Sequence, residues 1–401
     1  MLVRRLLFLL FFLPAILHGQ GFTINGKIVS KESGRGLAGA SVFLSNSSFG
    51  TTSSSEGVFT LNRLKPGQYT LVVTAVGFAE YNKVIMVNGD ITDMTITMEP
   101  RAIMLREVTI SGTSRADWNR NYALFKNEFI GTDENAKECV VINPKVLDFT
   151  YRKSKQTLIA SSDEFLIVEN KALGYRVKFL LNAFSSDKIE GRLSYQGSRL
   201  FEELPGSAAQ KKKWQVKRDR AYYGSSMHFF RSVYQNKLNQ EGFETRRLSR
   251  EQDPMRPSAA IIQKKMQQFN GTMMRDSFMY WYNLYNSPKY VHQKISTIPW
   301  FSLELLRNGP QPGLYAITFP EYLYVIYKKR EETEAFKDVY RPLDMPNYEV
   351  SILTLFNDPP YALFDSNGIV VGESPLFEGS WSKPRLSELL PVDYTPSAPL
   401  N

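Results

Sequence analysis

The sequence predicts a mainly β, α+β protein, in which a small antiparallel β-sandwich precedes a larger mixed, β-rich domain. Three observations carry this. Residues 22–99 read as short segments of period-two alternation, interrupted by Gly, Ser and Pro about every eight to twelve residues. After residue 100 the pattern changes, and helical spacings begin to alternate with further strand-like runs. The 401 residues, 43% hydrophobic and 13% aromatic, hold enough apolar side chain for two or three cores and exclude disorder, collagen and coiled coil.

In the sandwich region, strands are expected at 23–29, 40–44, 58–61, 69–75, 83–87 and 91–98. Tyr69, Leu71 and Val73 share one face, with Thr70 and Thr74 on the other; Met94, Ile96 and Met98 alternate with Thr95, Thr97 and Glu99. Lys65-Pro66-Gly67 supplies a turn, Pro fixing φ and Gly leaving it free. In the larger part, Ser114 to Asp117 predicts a capped helix start, and Trp118, Tyr122, Phe125 and Phe129 recur at helical spacing as a core face. Strands follow at 140–142, 148–152, 157–161, 165–169 and 175–181. Met227, Phe230, Tyr234 and Leu238 fit one helical face ending before Gly242. Strands return at 313–319 and 322–327, and Asp365-Ser366-Asn367-Gly368 is a hairpin turn.

The N-terminus reads as an export signal. Met1 to Arg5 is basic, 6–17 is apolar and too short for a comfortable permanent span, and Pro14, Ala15 and Gly19 lead into polar sequence. Cleavage near Gly19 or Gln20 leaves 47 cations against 40 acids, reducing the formal charge from +9 to +7. No cysteine follows the apolar run to take a lipid. The expected address is the periplasm or the outer membrane, with the protein at most peripheral to that membrane. A single cysteine, Cys139, rules out an intramolecular disulfide; beside Val140, Val141 and Ile142 it reads as a small core residue.

Gly26-Lys27-Ile28-Val29, Gly39-Ala40-Ser41-Val42, Glu56-Gly57-Val58-Phe59, Leu64 to Leu71 and Val76-Gly77-Phe78 resemble the carboxypeptidase-regulatory-like domain, a transthyretin-like (prealbumin-like) sandwich of the seven-strand type. The resemblance implies an accessory module and no peptidase. Where such domains often carry Thr-Asp-x-x-Gly, this chain has Ser53 and Ser54 before Gly57, which removes a turn-forming Asp and any cation site that depended on it. Glu107, Val108, Thr109 and Ile110 resemble the linker following this module in TonB-dependent transporters of Bacteroidetes, where such a stretch can add as a strand to a TonB-like protein; the same residues also read as a plain interdomain strand. Five later stretches, Phe129 to Cys139, Asn143-Pro144, Glu169 to Tyr175, Tyr223 to Arg231, and Gly379-Ser380-Trp381 with Leu390 to Tyr394, resemble uncharacterised Bacteroidetes envelope proteins carrying the same module. The organisation expected is a signal peptide at 1–20, the sandwich at 21–100, a linker at 101–115, an α+β domain at 116–395 and a tail at 396–401.

Chemistry is harder to find. After signal removal only His228 and His292 remain, and neither opens a zinc-ligand pair, since Arg231 and Ile295 stand three places on. No nucleophile elbow occurs, and the phosphate-loop-like run from Gly21 to Lys27 lacks its Ser or Thr and lies on a strand. No catalytic residue, cofactor or metal is assigned. Glu202, Glu203, Asp163, Glu164, Glu331, Glu332 and Asp338 could supply a glycosidase pair, or be solvated surface.

The remaining signal is charge. Lys211, Lys212, Lys213, Trp214, Lys217, Arg218 and Arg220 interleave cations with aromatics, and Arg246, Arg247, Arg250 and Arg256 add a second stretch. Export argues against nucleic acid and for anionic lipid headgroups, lipopolysaccharide, acidic glycan or another envelope protein as partner; the same run also reads as a solvated loop. Phe49, Phe78 and Tyr81 are sugar-stacking or core aromatics of the sandwich. The expected function is an exported, non-catalytic binding or assembly module; the alternatives are a carboxylate hydrolase of glycans or peptides and an accessory to TonB-coupled uptake.

Overall fold

The computed structural model describes residues 21–101, 114–333, 336 and 338–397. The expected signal peptide and the strand Glu107 to Ile110 lie outside these residues. Among the described residues, no helix is long and apolar enough to cross a membrane.

The first domain is a two-sheet sandwich of seven strands: β1 (Phe22–Ser30), β2 (Ser41–Leu44), β3 (Gly50–Thr52), β4 (Val58–Leu64), β5 (Gly67–Thr74), β6 (Tyr81–Val87) and β7 (Ile91–Met98). One sheet runs β4–β1–β7, the other β3–β2–β5–β6. Ile24, Ile28, Phe59, Leu61, Tyr69, Leu71, Val73, Ile96 and Met98 fill the space between them, as the alternation predicts. The expectation of a wholly antiparallel sandwich is corrected at one pair, because β7 lies parallel to β1. Parallel neighbours need a long crossover, and here the other sheet supplies it. Three-residue β3 was too short to register as an alternation.

The serines before Gly57 take over the local bonding. Ser53 Oγ accepts from Ala40 N–H (2.9 Å) and donates to Leu37 C=O (2.6 Å), while Ser54 Oγ accepts from the Glu56 and Val58 amides. Gly57 has φ +80°, and a Cβ there would meet Ile28 O at 2.3 Å, so both conformation and space require glycine.

The second domain begins with α1 (Arg115–Phe129), whose N-cap Ser114 Oγ accepts from Asp117 N–H at 3.1 Å. Phe125 and Phe129 stack at 4.8 Å and meet Phe184 edge-on, as expected of a core stripe; Trp118 stacks on Tyr122 farther out. After α2 (Glu134–Lys137) come β8 (Cys139–Val141), β9 (Leu147–Arg152), β10 (Thr157–Ser162), β11 (Leu166–Asn170), β12 (Tyr175–Asp187) and β13 (Arg192–Glu203). Long β12 pairs with β13 along its whole length, and with β11 and β10 in succession on its other side.

Three helices follow, α3 (Ala208–Tyr222), α4 (Ser226–Tyr234) and α5 (Leu238–Glu241). The single helical face expected from Met227 to Leu238 is corrected to two helices. Asn236 adopts φ +55° and ends the first; Phe230 and Leu238 are buried as expected, Phe229 and Val233 are buried beside them, and Tyr234 is exposed. Next are β14 (Phe243–Gln252), the helical hairpin α6 (Ala259–Phe269) and α7 (Arg275–Asn286), β15 (Tyr290–Trp300), α8 (Ser302–Leu305), β16 (Leu306–Asn308), β17 (Leu314–Ile317), β18 (Tyr322–Glu331), β19 (Tyr348–Thr354), β20 (Ala362–Asp365), β21 (Val370–Val371) and β22 (Leu376–Gly379). They form an antiparallel sheet β15–β14–β18–β19–β22 and a smaller one, β16–β17–β20–β21. The turn at Asp365 closes as expected: its Oδ1 accepts from the Asn367 and Ile369 amides, both at 3.0 Å.

The two domains share a seam. Val72, on the outer face of β5, packs with Phe43 and with Leu200 of β13. Ser47 bridges in parallel to Leu200, and Arg199 Nε donates to Asn46 Oδ1 at 2.7 Å. The C-terminal segment closes this seam. Val392 is buried in the sandwich core, and Asp393 accepts from the Ser48 amide and hydroxyl (2.8 and 2.5 Å). The stretch expected as a free tail from 396 is packed at least through Ser397, whose amide donates to Asp219 Oδ1 at 3.0 Å.

Candidate functional site

The basic run Lys211 to Arg220 lies on α3. Ser207 and Gln210 form a reciprocal capping box at its start, so the helix begins where sequence chemistry dictates. Trp214 is buried. Its Nε1–H donates to Lys171 C=O at 2.8 Å, and its ring lies where a Cβ on Gly174 (φ +69°) would be 2.1 Å away. Arg218, 7% exposed, donates through Nε to Leu173 C=O (2.7 Å), through Nη2 to Gly174 C=O (3.2 Å) and through Nη1 to Glu203 (3.1 Å), with its guanidinium 3.9 Å from the centre of the Tyr175 ring. Lys211 pairs with Glu203 at 3.3 Å and Lys217 with Glu138 at 2.6 Å.

Asp219 is also buried, and it anchors the chain end. It accepts from Tyr394 Oη (2.6 Å), Gln215 Nε2 (3.2 Å), and the Ser397 amide and hydroxyl. Burial, and then the Asp219 carboxylate, pushes the Tyr394 phenol far above its ordinary value, so it stays a donor. Of the seven residues singled out, Trp214 and Arg218 belong to the scaffold, and Lys211 and Lys217 are ion-paired at its edge. Lys212, Lys213 and Arg220 face solvent on the outer side of the helix, with Val216 between them.

The second basic stretch is also largely committed. Arg246 pairs with Glu244 (2.5 Å), Arg247 with Glu321 (3.1 Å), and Arg250, its side chain fully enclosed, with Glu378 (2.7 Å). Arg256 donates to the carbonyls of Leu284, Ser287 and Pro288.

Five of the seven carboxylates named as a possible acid–base pair are dispersed into ion pairs: Glu202 with Lys178 (2.5 Å), Glu203 with Arg218, Asp163 with Arg101 (2.6 Å), Glu332 with Lys383 (3.0 Å) and Asp338 with Lys289 (3.9 Å). Among the described residues, no group of three or more His, Cys, Asp or Glu is placed to hold a metal ion.

His228 is a buried helix residue with both ring nitrogens satisfied. Its Nδ1 accepts from Gly224 N–H and its Nε2 meets Glu241, both at 3.1 Å, so Nε2 carries the proton. Burial pulls its pKa down to about 4 against the opposing pull of Glu241. His292 lies on β15, exposed. Cys139 is buried, bonded to Asn135 C=O, and burial pushes its thiol up to about 12, leaving it inert. Phe49, Phe78 and Tyr81 pack against the sandwich core.

Two shallow cavities accompany these elements. One, of about 210 Å³, opens at the seam between Asn46, Gln68, Tyr69, Asp365 and Val392. The other, of about 260 Å³, lies over β18 between Glu244, Arg246, Tyr324, Lys328 and Asp344. Asp365, the acid of the seam cavity, is occupied by its own turn.

Sequence reasoning passed over the hairpin α6–α7. Its connection and second helix expose Met273, Met274, Met279, Tyr280, Tyr282 and Tyr285, and α7 has no fully buried residue. The available signal was breadth: apolar residues from Met273 to Tyr285 are too many for one buried stripe, so part of them must face outward.

Residues 24–110 match the family model of the CarboxypepD_reg-like domain. None of the curated proteins compared matches the chain. Among solved structures, a type II cohesin–X-dockerin complex from Acetivibrio cellulolyticus aligns with TM-score 0.18 and 18% identity over 20% of this chain and 58% of that one. A group B streptococcus pilus 2b backbone protein aligns with TM-score 0.18 and 15% identity over 20% and 42%. A protein of unknown function from Bacteroides fragilis NCTC 9343 gives TM-score 0.17 and 11% identity over 85% and 92%. The chain thus spans about half the length of the first two, and at these scores none of the three bears on function. The family match and the seven-strand sandwich agree, and residues 24–110 are a carboxypeptidase-regulatory-like domain.

Proposed function

We propose that the protein is an exported, non-catalytic envelope protein, in which the regulatory-like sandwich and the α+β domain together form a binding module for an acidic glycan, such as lipopolysaccharide, or for an acidic envelope protein. The observation that carries the reading is the dispersal of the candidate acids: Glu202, Glu203, Asp163, Glu332 and Asp338 each face a cation rather than one another. A glycosidase needs two carboxyl groups facing each other across a cleft, and these five are each held in an ion pair instead. The apolar leader supports export.

The surface offered to the partner is the outer side of α3, where Lys212, Lys213 and Arg220 extend from a helix that Trp214 and Arg218 fix from beneath. Fixed cations on a rigid helix attract a polyanion without reorganisation, and such contacts weaken with salt. The test is retention of the protein on immobilised lipopolysaccharide as salt is raised, for the native chain and for Lys212→Ser/Lys213→Ser/Arg220→Ser. The native chain should be retained and elute with salt, and the triple variant should elute much earlier. Identical elution of the two removes this surface from the reading.

A further inference from the structure

We propose that the hairpin α6–α7 is a membrane-docking element, whose tip enters the headgroup region of an anionic lipid bilayer. This goes beyond the function proposed above, because it names a second site and a lipid partner and does not involve α3.

The connection 270–274 projects Met273, fully exposed, and Met274, 58% exposed. Both side chains are flexible and apolar. Around them the charge is one-sided: near the tip stand three cations, Lys264, Lys265 and Arg275, and one carboxylate, Asp276, a net of +2, while Arg256 and Lys289 at the base of the hairpin are committed to backbone carbonyls and to Asp338. Lys264 and Lys265 lie within two turns of the end of α6, and Arg275 opens α7, so the cations collar the methionines. Tyr280, Tyr282 and Tyr285 follow along α7, exposed, each with an apolar ring and a polar end.

The distribution of apolar side chains favours lipid over a protein groove. A groove is read by one stripe of a helix, at i, i+3, i+4 and i+7. Here Phe278, Trp281 and Leu284 form the half-buried inner stripe, and the exposed Met279, Tyr280 and Tyr282 spread around the rest of the helix, Tyr280 and Tyr282 standing about 160° apart at the helical pitch. A bilayer interface contacts such an element from all sides, rewarding methionine and tyrosine at the headgroup level and cations beside anionic phosphates.

The experiment uses the full chain with an environment-sensitive fluorophore on Met273→Cys. Cys139 is buried with a raised thiol pKa, so the label goes to the introduced position. A second labelled protein, Val76→Cys on the exposed edge of the sandwich, carries the same leader and is the control. With vesicles of phosphatidylcholine containing phosphatidylglycerol, the label at 273 should shift to the blue and that at 76 should not. In the same assay Lys264→Gln/Lys265→Gln/Arg275→Gln should weaken binding on the order of a hundredfold, at about fivefold per cation. Loss of the shift in pure phosphatidylcholine supports the anionic preference. An unshifted label at 273, equal shifts at 273 and 76, or binding indifferent to the three cations overturns the proposal. A shift at 273 that appears only on adding lipopolysaccharide-free envelope protein extract, and not with vesicles, also overturns it in favour of a protein partner.

Discussion

Two stretches of the second domain carry the same written signature, cations interleaved with aromatics, and they do opposite things. In α3, Trp214 and Arg218 point inward to the backbone carbonyls of Lys171, Leu173 and Gly174, and Asp219 holds the chain end. In α6–α7, only Ile262 is fully buried, and Met273, Met274, Tyr280, Tyr282, Lys264 and Arg275 stand in solvent. What separates them is whether a polar partner waits at the correct distance. A guanidinium among carbonyls is a structural brace, whereas the same charge without partners is free to meet another molecule.

The comparison breaks most visibly at Trp214. Trp214→Ala removes a buried indole packed on Gly174 and its hydrogen bond to Lys171 C=O, and should cost about 4 kcal/mol in urea unfolding; a cost below about 1 kcal/mol would place the ring outside the core. Asp219→Ala should cost about 2 kcal/mol, since Tyr394 and Ser397 lose a buried acceptor, and should make the C-terminal segment a new proteolytic site. An uncut C-terminus in that variant would show that Val392 and Asp393 hold the segment by themselves. Lys264→Gln and Arg275→Gln belong at the other end, with stability changed by less than about 0.5 kcal/mol.

Between these lies an effect of pH. His228 has a native pKa of about 4, below its ordinary 6.5, so the unfolded chain binds the extra proton first as the medium is acidified. Its contribution to stability is therefore intact above pH 6.5 and is lost as pH falls toward 4, by on the order of 3 kcal/mol. His228→Asn, which keeps an acceptor for Gly224 N–H, should flatten this part of the stability–pH curve; an identical slope in the variant would show that other groups cause it. Glu349, Asp365 and Glu388, whose pKa values burial raises, act with the opposite sign, so the difference between the two proteins is the informative quantity.

The sandwich was legible because both physical signals were local. Alternation placed Tyr69, Leu71 and Val73 on one face, and Pro and Gly marked the turns. Its parallel β1–β7 pair was not legible, since strand direction follows from the crossover and leaves no mark on either strand. In the second domain the strands expected from 140 to 181 and at 313–319 and 322–327 were readable to within a few residues, apart from the longer reach of β12 and β18, whereas β13 to β16, β19 and β22 had no expected counterpart. The helix break at Asn236 was missed because a face spaced at 227, 230, 234 and 238 fits one helix or two. The roles of Arg218 and Asp219 were hidden for a different reason. Their partners lie in the loop at 171–174 and at Tyr394 and Ser397, far away in sequence, and a composition of Lys and Arg looks identical whether or not those partners exist.

The most direct test of this contrast is urea unfolding of Arg218→Ala beside Lys264→Ala/Arg275→Ala, each compared with the native chain. Removing Arg218 takes away its hydrogen bonds to the Leu173 and Gly174 carbonyls and its ion pair with Glu203, and should lower stability by about 3 kcal/mol, while the hairpin double variant unfolds with the native protein. Equal midpoints for the two variants would contradict the assignment of α3 to the scaffold and of α6–α7 to the free surface.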